Sequence, residues 1–167
     1  QKYIEPLTKD QEAAAKRMHD LILLLMKPFP VEAVNYKNVP EGQVVFTPNH
    51  TSYIDAFALS AAIPLERLRH TQIAGWIGIA FANPLFAYLS RLAQVFPIDA
   101  DRSMLTSLAL GAAVLKGGKS LIWFPEAKRT LDGELLPFKQ GIGILLKDTE
   151  IPVVPVLLSG TREALKP

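Results

Sequence analysis

The sequence predicts an α/β domain built on a mostly parallel, mixed sheet flanked by helices. Three observations carry that expectation. Short β-rich runs alternate with segments of helical apolar spacing along nearly the whole chain. Two of the runs, Leu121–Phe124 and Val153–Leu158, are apolar without alternation, as strands covered on both faces tend to be. The composition, 49% hydrophobic and 20% charged over 167 residues, supplies enough apolar surface for one sizeable core and too little charge for a disordered chain.

The elements follow in order. Thr8, with Gln11 three residues on, has the capping-box pattern that opens a helix. Its apolar positions Met18, Leu21, Ile22, Leu25 and Met26 recur at helical spacing, and Pro28 to Pro30 end it. Leu23 and Leu24 widen the apolar face beyond a narrow stripe, which suits either core packing or contact with a membrane. Val34–Tyr36 and Val44–Thr47 read as short strands separated by Asn38, Pro40 and Gly42. A helix is expected from Ser52 to Ile63, where Pro64 stops it. A strand at Thr71–Ala74, a loosely helical apolar stretch through Leu92 and a strand at Val95–Ile98 come next. Ser103 begins a helix carrying Leu105, Leu108, Ala109 and Ala112 on one face, and Gly117-Gly118 ends it.

Composition also excludes function classes. The chain has no cysteine, so disulfides, thiolate metal sites, iron–sulfur clusters and a covalent cysteine intermediate are ruled out. No histidine pair has the spacing of a helical zinc site, and no metal is expected. Net charge is +2 with a pI of about 8.9, and no concentrated basic stripe suggests nucleic acid. A mean hydropathy of +0.19 leaves room for a membrane-facing surface. The apolar run Leu21–Met26 falls far short of the roughly 20 residues a spanning helix needs. The uncharged stretch His70–Ser90 is interrupted by Gln72, Gly75, Gly78 and Asn83-Pro84, and reads as buried or interfacial. No signal-peptide pattern stands at the N-terminus. A phosphate-binding P-loop is ruled out too: Gly118-Lys119-Ser120 runs from helix to strand, and the position of the required first glycine holds Ala113.

The polar clusters fall where strands end, which is where open α/β sheets bind ligands. Asn49-His50-Thr51-Ser52-Tyr53-Ile54-Asp55 follows the second run, and Asp99-Ala100-Asp101-Arg102 follows Val95–Ile98. Pro125-Glu126-Ala127-Lys128-Arg129-Thr130 and Ser159-Gly160-Thr161-Arg162 follow the last two runs. In a parallel sheet these four segments converge on one rim. On a continuous helix His50 and Asp55 would stand about 140° apart, at roughly 100° per residue. With His50 in the turn before the helix, Asp55 can accept from one ring nitrogen and leave the other free as a base. Alternatively, Ser52 and Asp55 form a helix-capping pattern. Arg102, just before the helix at Ser103, suits an anion, with Arg129 as a second fork. The competing reading makes Asp99, Asp101, Glu126 and these arginines surface ion pairs. Trp76, Phe81 and Phe86 suit either an acyl channel or the core.

Together the four segments resemble the glycerolipid acyltransferase family. Asn49, His50 and Asp55 match its first motif, Asn-His-x4-Asp, and Phe96 to Arg102 match the second, which ends in arginine. Phe124-Pro125-Glu126-Ala127-Lys128-Arg129-Thr130 matches the third, usually Phe-Pro-Glu-Gly-Thr-Arg-Ser, and Ile151 to Val156 match the apolar Val-Pro fourth. The resemblance runs from Val39 to Thr161. It implies a glycerol-3-phosphate acyltransferase-like fold over residues 1–167 as a single domain, with residues 1–30 an N-terminal helix that associates with the membrane. It also implies that part of the domain is missing at the C-terminal end; the start at Gln1 and the stop at Pro167 read as an excised piece of a longer protein.

The activity implied is transfer of an acyl group from acyl-CoA or acyl carrier protein to the hydroxyl of 1-acylglycerol 3-phosphate, at the cytoplasmic face of a membrane. His50 is then the general base and Asp55 its orienter, while Arg102, Glu126, Arg129, Lys128 and Asn49 bind the acceptor. No cofactor is needed beyond the acyl thioester co-substrate. Glycerol 3-phosphate, a different lysophospholipid, and a silent lipid-binding module remain alternatives. Ala127 and Lys128 depart from the family's glycine and small hydroxyl residue, which restricts the backbone if position 127 needs positive φ.

Overall fold

A computed structural model describes residues 5, 7–99 and 103–165. Helix α1 (Lys9–Met26) starts at Thr8, whose side chain accepts from the Gln11 N–H while the Gln11 side chain accepts from the Thr8 N–H. The expected strand at Val34–Tyr36 does not form. Asn35 turns the chain at φ 61°, and a 3-10 turn at Tyr36–Asn38 follows. A β-branched residue and an aromatic gave strand propensity to three residues, but a left-handed centre cannot extend.

Five strands then alternate with helices. They are β1 (Val45–Pro48), β2 (Thr71–Trp76), β3 (Val95–Ile98), β4 (Ser120–Ile122) and β5 (Val153–Val156). Helices α2 (Asp55–Ala62) and α3 (Leu65–Leu68) join β1 to β2, and α4 (Ile77–Ala80) and α5 (Pro84–Leu92) join β2 to β3. Helix α6 (Met104–Lys116) joins β3 to β4, α7 (Gly141–Leu146) joins β4 to β5, and α8 (Thr161–Ala164) follows β5. The sheet order is β3-β2-β4-β1-β5, and every pairing is parallel. The α/β class with helix-flanked strands is therefore as the sequence indicated. Strand β3 matches its expected span residue for residue.

Alternation along the central strands builds two cores, one on each face of the sheet. Val44, Phe46, Ile122 and Phe124 meet Leu59, Ile63, Leu68 and Ile73 on one side. Val45, Leu121, Trp123 and Phe96 meet Leu108, Val114 and Leu115 of α6 on the other. Each fully buried aliphatic or aromatic side chain of this kind contributes about 1.5–3 kcal/mol. Successive residues of β1 and β4 thus face different cores, which explains their unbroken apolar runs. Strand β5 is the exception to that reading. It is an edge strand, so Val154 and Val156 pack on the first core while Val153 stays half exposed.

Helix α1 packs against α2 and α5. Ile22 and Met26 are buried against Ala58, but Leu21, Leu23, Leu24 and Leu25 are 40–59% exposed. Trp76 and Phe86 are also about half exposed. Neither belongs to the two cores: Trp76 is the last residue of β2 and Phe86 lies on α5. No helix among the described residues is long and apolar enough to cross a membrane.

Strand order decides where the polar segments go. The chain passes from β1 across to β2 and β3, returns to place β4 beside β1, and then adds β5 on the far side of β1. The carboxyl ends of β4, β1 and β5 are consequently adjacent. The end of β3 is three strands from β1, about 14 Å at the usual spacing between strands.

Candidate active site

His50 stands two residues beyond β1, in the turn before α2. Its ring Nδ1 lies 2.8 Å from Asp55 Oδ2. The same oxygen accepts from the backbone N–H of Thr51 at 2.6 Å and of Ser52 at 2.8 Å. Asp55 opens α2 and is wholly buried, so its carboxylate reaches back over the turn and folds it around His50. The two readings of Asp55 therefore merge: one carboxylate satisfies N–H groups that precede the helix and holds the histidine. No group within the described residues bonds Nε2, and the His50 side chain is 23% exposed. The ring also packs on Phe124, centroids 4.3 Å apart.

The segment after β4 fixes His50 from the other side. Glu126 Oε1 accepts from the His50 N–H at 2.6 Å, and the His50 carbonyl accepts from the Thr130 N–H at 2.9 Å. Glu126 Oε2 accepts from the Leu136 N–H at 2.7 Å, and the residue is 1% exposed. Asn49 is similarly committed. Its side-chain oxygen accepts from the Leu158 N–H at 2.6 Å and its amide donates to the Leu158 carbonyl at 3.0 Å, which ties the end of β1 to the end of β5. The geometry thus gives Glu126 and Asn49 a positioning task. Both direct their polar atoms at backbone.

Arg129, in the same segment, is partly buried. Its guanidinium carbon lies 3.3 Å from the centre of the Tyr53 ring, a cation–π contact that joins the third segment to the first. Arg129 Nη1 is buried without a hydrogen-bond partner. A buried donor left unmet costs on the order of 1–3 kcal/mol. Lys128 beside it is exposed. Arg102 lies outside the described residues, and Asp99 stands at the end of β3, away from His50. Of the four segments expected on one rim, three meet at β4, β1 and β5. The fourth motif is β5 itself, paired with β1 from Val45 to Pro48 and so directly beneath the histidine turn.

Tyr53, Thr161 and Leu165 were not singled out by sequence as site residues. Thr161 Oγ1 lies 3.1 Å from Thr51 Oγ1, and Ser52 Oγ donates to the Leu165 carbonyl, so α8 closes over the histidine turn. Tyr53 carried a usable signal, an aromatic inside the Asn-His-x4-Asp segment. Thr161 lay in a polar segment expected on the same rim, whereas the Leu165 contact, 113 residues from Ser52, had no signal.

A family model described as Acyltransferase matches residues 30–159, which include every residue of the histidine turn and of the segment after β4. The chain belongs to the glycerolipid acyltransferase family. Its relatives include the 1-acyl-sn-glycerol-3-phosphate acyltransferase of Cocos nucifera, 32% identical over 86% of this chain and 45% of that protein. The Saccharomyces cerevisiae enzyme of the same name is 30% identical over 87% of this chain and 48% of that protein. The human 1-acyl-sn-glycerol-3-phosphate acyltransferase beta is 33% identical over 69% and 41%. The chain spans about half the length of these relatives. In fold it is similar to the 1-acyl-sn-glycerophosphate (LPA) acyltransferase PlsC from Thermotoga maritima, with a TM-score of 0.64 over 89% of this chain and 61% of that one, at 24% identity.

The departure from the family's glycine is visible in the backbone. Ala127 adopts φ 61°, so the position does require the left-handed region. An alanine there costs about 1 kcal/mol or more, of which glycine's extra freedom in the unfolded chain returns roughly 0.5–1. Ala127→Gly is expected to be neutral to stabilising, by up to about 1 kcal/mol, seen as a raised urea midpoint at constant m-value. A clear loss of stability would contradict the strain.

Burial alone would raise the Asp55 pKa. Hydrogen bonding from His50, the nearby Thr161 hydroxyl and the Ser52 and Thr51 N–H groups outweighs burial and holds it below the ordinary value of 3.8. With the folded value depressed, the carboxylate's stabilisation is fully present above the unfolded pKa and is lost as pH falls through the folded one. Urea midpoints should therefore decline less steeply for Asp55→Asn than for wild type from about pH 5 downwards. Parallel declines would show that Asp55 is not depressed.

Proposed function

We propose that the chain carries the catalytic site of a 1-acylglycerol-3-phosphate O-acyltransferase. The observation that supports this most is the His50–Asp55 pair, with Nδ1 held at 2.8 Å and Nε2 left open, in a turn that Arg129 joins by stacking on Tyr53. In this reading Asp55 keeps the proton of the neutral ring on Nδ1, and Nε2 takes the proton of the acceptor's free hydroxyl. The oxygen attacks the thioester carbonyl, the new C–O bond forms and the C–S bond breaks. The departing thiolate of CoA or acyl carrier protein then takes the proton from the His50 imidazolium. No protein nucleophile takes part, which suits a chain without cysteine.

The acceptor's phosphate is bound by Arg129, with Lys128 adding charge at the mouth and Arg102 as the second arginine. Glu126 and Asn49 act one step back, holding the His50 backbone and the β1–β5 junction. The printed names of the relatives, all 1-acyl-sn-glycerol-3-phosphate acyltransferases, favour the lysophosphatidic acceptor over glycerol 3-phosphate. The test is transfer of labelled acyl groups by the protein in detergent, with His50→Ala and Arg129→Ala in parallel. His50→Ala should lower kcat by about 10²–10⁴ with little change in acceptor KM. Arg129→Ala should raise KM for phosphate-bearing acceptors selectively. Full activity in His50→Ala would overturn the assignment, and wild-type acceptor preference in Arg129→Ala would remove the phosphate site.

The reading also places the protein on the cytoplasmic face of a membrane, where its acceptor resides. The exposed Leu21, Leu23, Leu24 and Leu25 on α1, next to the α5 side with Leu85, Phe86 and Tyr88, form the surface that supports attachment. Larger apolar patches of this kind mark interaction sites. Leu24→Glu with Leu25→Glu should reduce flotation with vesicles of phosphatidylethanolamine and phosphatidylglycerol at least several-fold. Unchanged flotation would move the attachment surface elsewhere.

A further inference from the structure

The proposed active site uses the carboxyl ends of the strands; a cavity lies at their amino ends. His70, Gln94 and Lys119 immediately precede β2, β3 and β4, and all three line a cavity of about 670 Å³ roofed by α1. Parallel strands put this cavity on the opposite edge of the sheet from His50, a strand length of about 13 Å away. Its size lies within the usual range for small-ligand sites, about 300–1,000 Å³.

The cavity has an apolar floor and a cationic rim. Ile22, Leu68 and Leu92 are buried in its wall, with Met18 and Leu65 partly so. Lys9, Lys16 and Arg69 are exposed around it, and Lys119 is half-buried. Glu12 is the single carboxylate among the described lining residues, and Arg69 also pairs with Glu66 at 3.6 Å on the surface. Two internal features set this apart from an ordinary cleft. His19 is 8% exposed, it lines the cavity, and neither ring nitrogen has a hydrogen-bond partner among the described residues. Lys119 is drawn inward: burial lowers its pKa, and among the described residues its ammonium donates only to the Gln72 side-chain carbonyl, at 3.2 Å, when that amide also donates to the Gln94 carbonyl. A buried imidazole and a partly desolvated ammonium, both facing a space walled by leucine and methionine, are costly unless a polar ligand meets them.

We propose that this cavity is a second ligand site, separate from the acyl-transfer centre, for a single-chain amphiphilic anion. The anionic head, a phosphate or a carboxylate, is met by Lys16, Lys119 and the His19 ring, and the alkyl chain lies on Ile22, Leu68 and Leu92. The site stands independently of the proposed reaction, because none of its residues belongs to the histidine turn or the segment after β4. Its occupancy joins α1 to the sheet, and so links the helix with the exposed leucine face to the body of the domain.

The chain's three histidines make the test direct, since His19 and His70 line the cavity while His50 lies on the other edge. The protein with ¹⁵N-labelled histidine is titrated, below micelle formation, with dodecyl phosphate, dodecanoate and neutral dodecyl maltoside. One or both anions should shift the His19 and His70 ring resonances saturably, the two arms separating a phosphate from a carboxylate head, and the maltoside should not. Lys16→Gln with Lys119→Gln should weaken that response at least tenfold while any His50 response is retained. Glu12→Gln should tighten it about threefold, a gain that a misfolded variant cannot mimic. Unmoved His19 and His70 resonances, an equal response to maltoside, or unchanged affinity in the lysine variant would overturn the proposal.

Discussion

Asp55 Oδ2 accepts three hydrogen bonds at once, from the His50 ring and from the backbone of Thr51 and Ser52. That convergence determines the shape of the turn between β1 and α2. A buried carboxylate needs partners, and Oδ2 finds them in the loop that carries the histidine, while Oδ1 is buried without one among the described residues. The stability requirement and the chemical requirement therefore coincide in one atom. Glu126 repeats the device from β4, meeting the His50 N–H with one oxygen and the Leu136 N–H with the other. His50 is thus held through its ring, its N–H and its carbonyl, and only Nε2 is left for a substrate.

The sheet makes this arrangement possible. Returning the chain to insert β4 between β2 and β1 brings the segment Pro125–Thr130 alongside the histidine turn, and adding β5 beyond β1 brings Leu158 within reach of Asn49. A simple consecutive strand order would leave these segments apart. The same topology leaves Lys119, Gln94 and His70 together at the amino ends of the strands, so the histidine turn and the cavity under α1 stand at the two ends of one sheet.

Much of this was legible in the sequence because it is local. The capping box at Thr8, the β3 span, the C-terminal ends of α2 and α6, and the five-residue relation of His50 and Asp55 all rest on neighbours or short repeats. The failures are long-range or geometric. The bond from the Leu136 N–H to Glu126 had no signal, because the polarity of Glu126 is visible and its partner is not. The edge position of β5 cannot be inferred from an apolar run that a central strand would share. Asn35 broke an expected strand through a single left-handed residue, whereas at position 127 the family's glycine had already raised the question of a positive φ, which Ala127 adopts. The cavity under α1 was invisible since its residues come from four helices and the turns before three strands, and Lys119 drew notice only as a false phosphate loop.

The central claim is that Asp55 fixes His50 with its proton on Nδ1 and its lone pair on Nε2. It is tested most directly by the ¹⁵N chemical shifts and one-bond proton couplings of the His50 ring in the folded protein, at a pH above its titration. The account predicts a protonated Nδ1, a bare Nε2, and loss of that preference in Asp55→Asn. A ring found mainly with its proton on Nε2, or one whose tautomer is indifferent to Asp55, would contradict it.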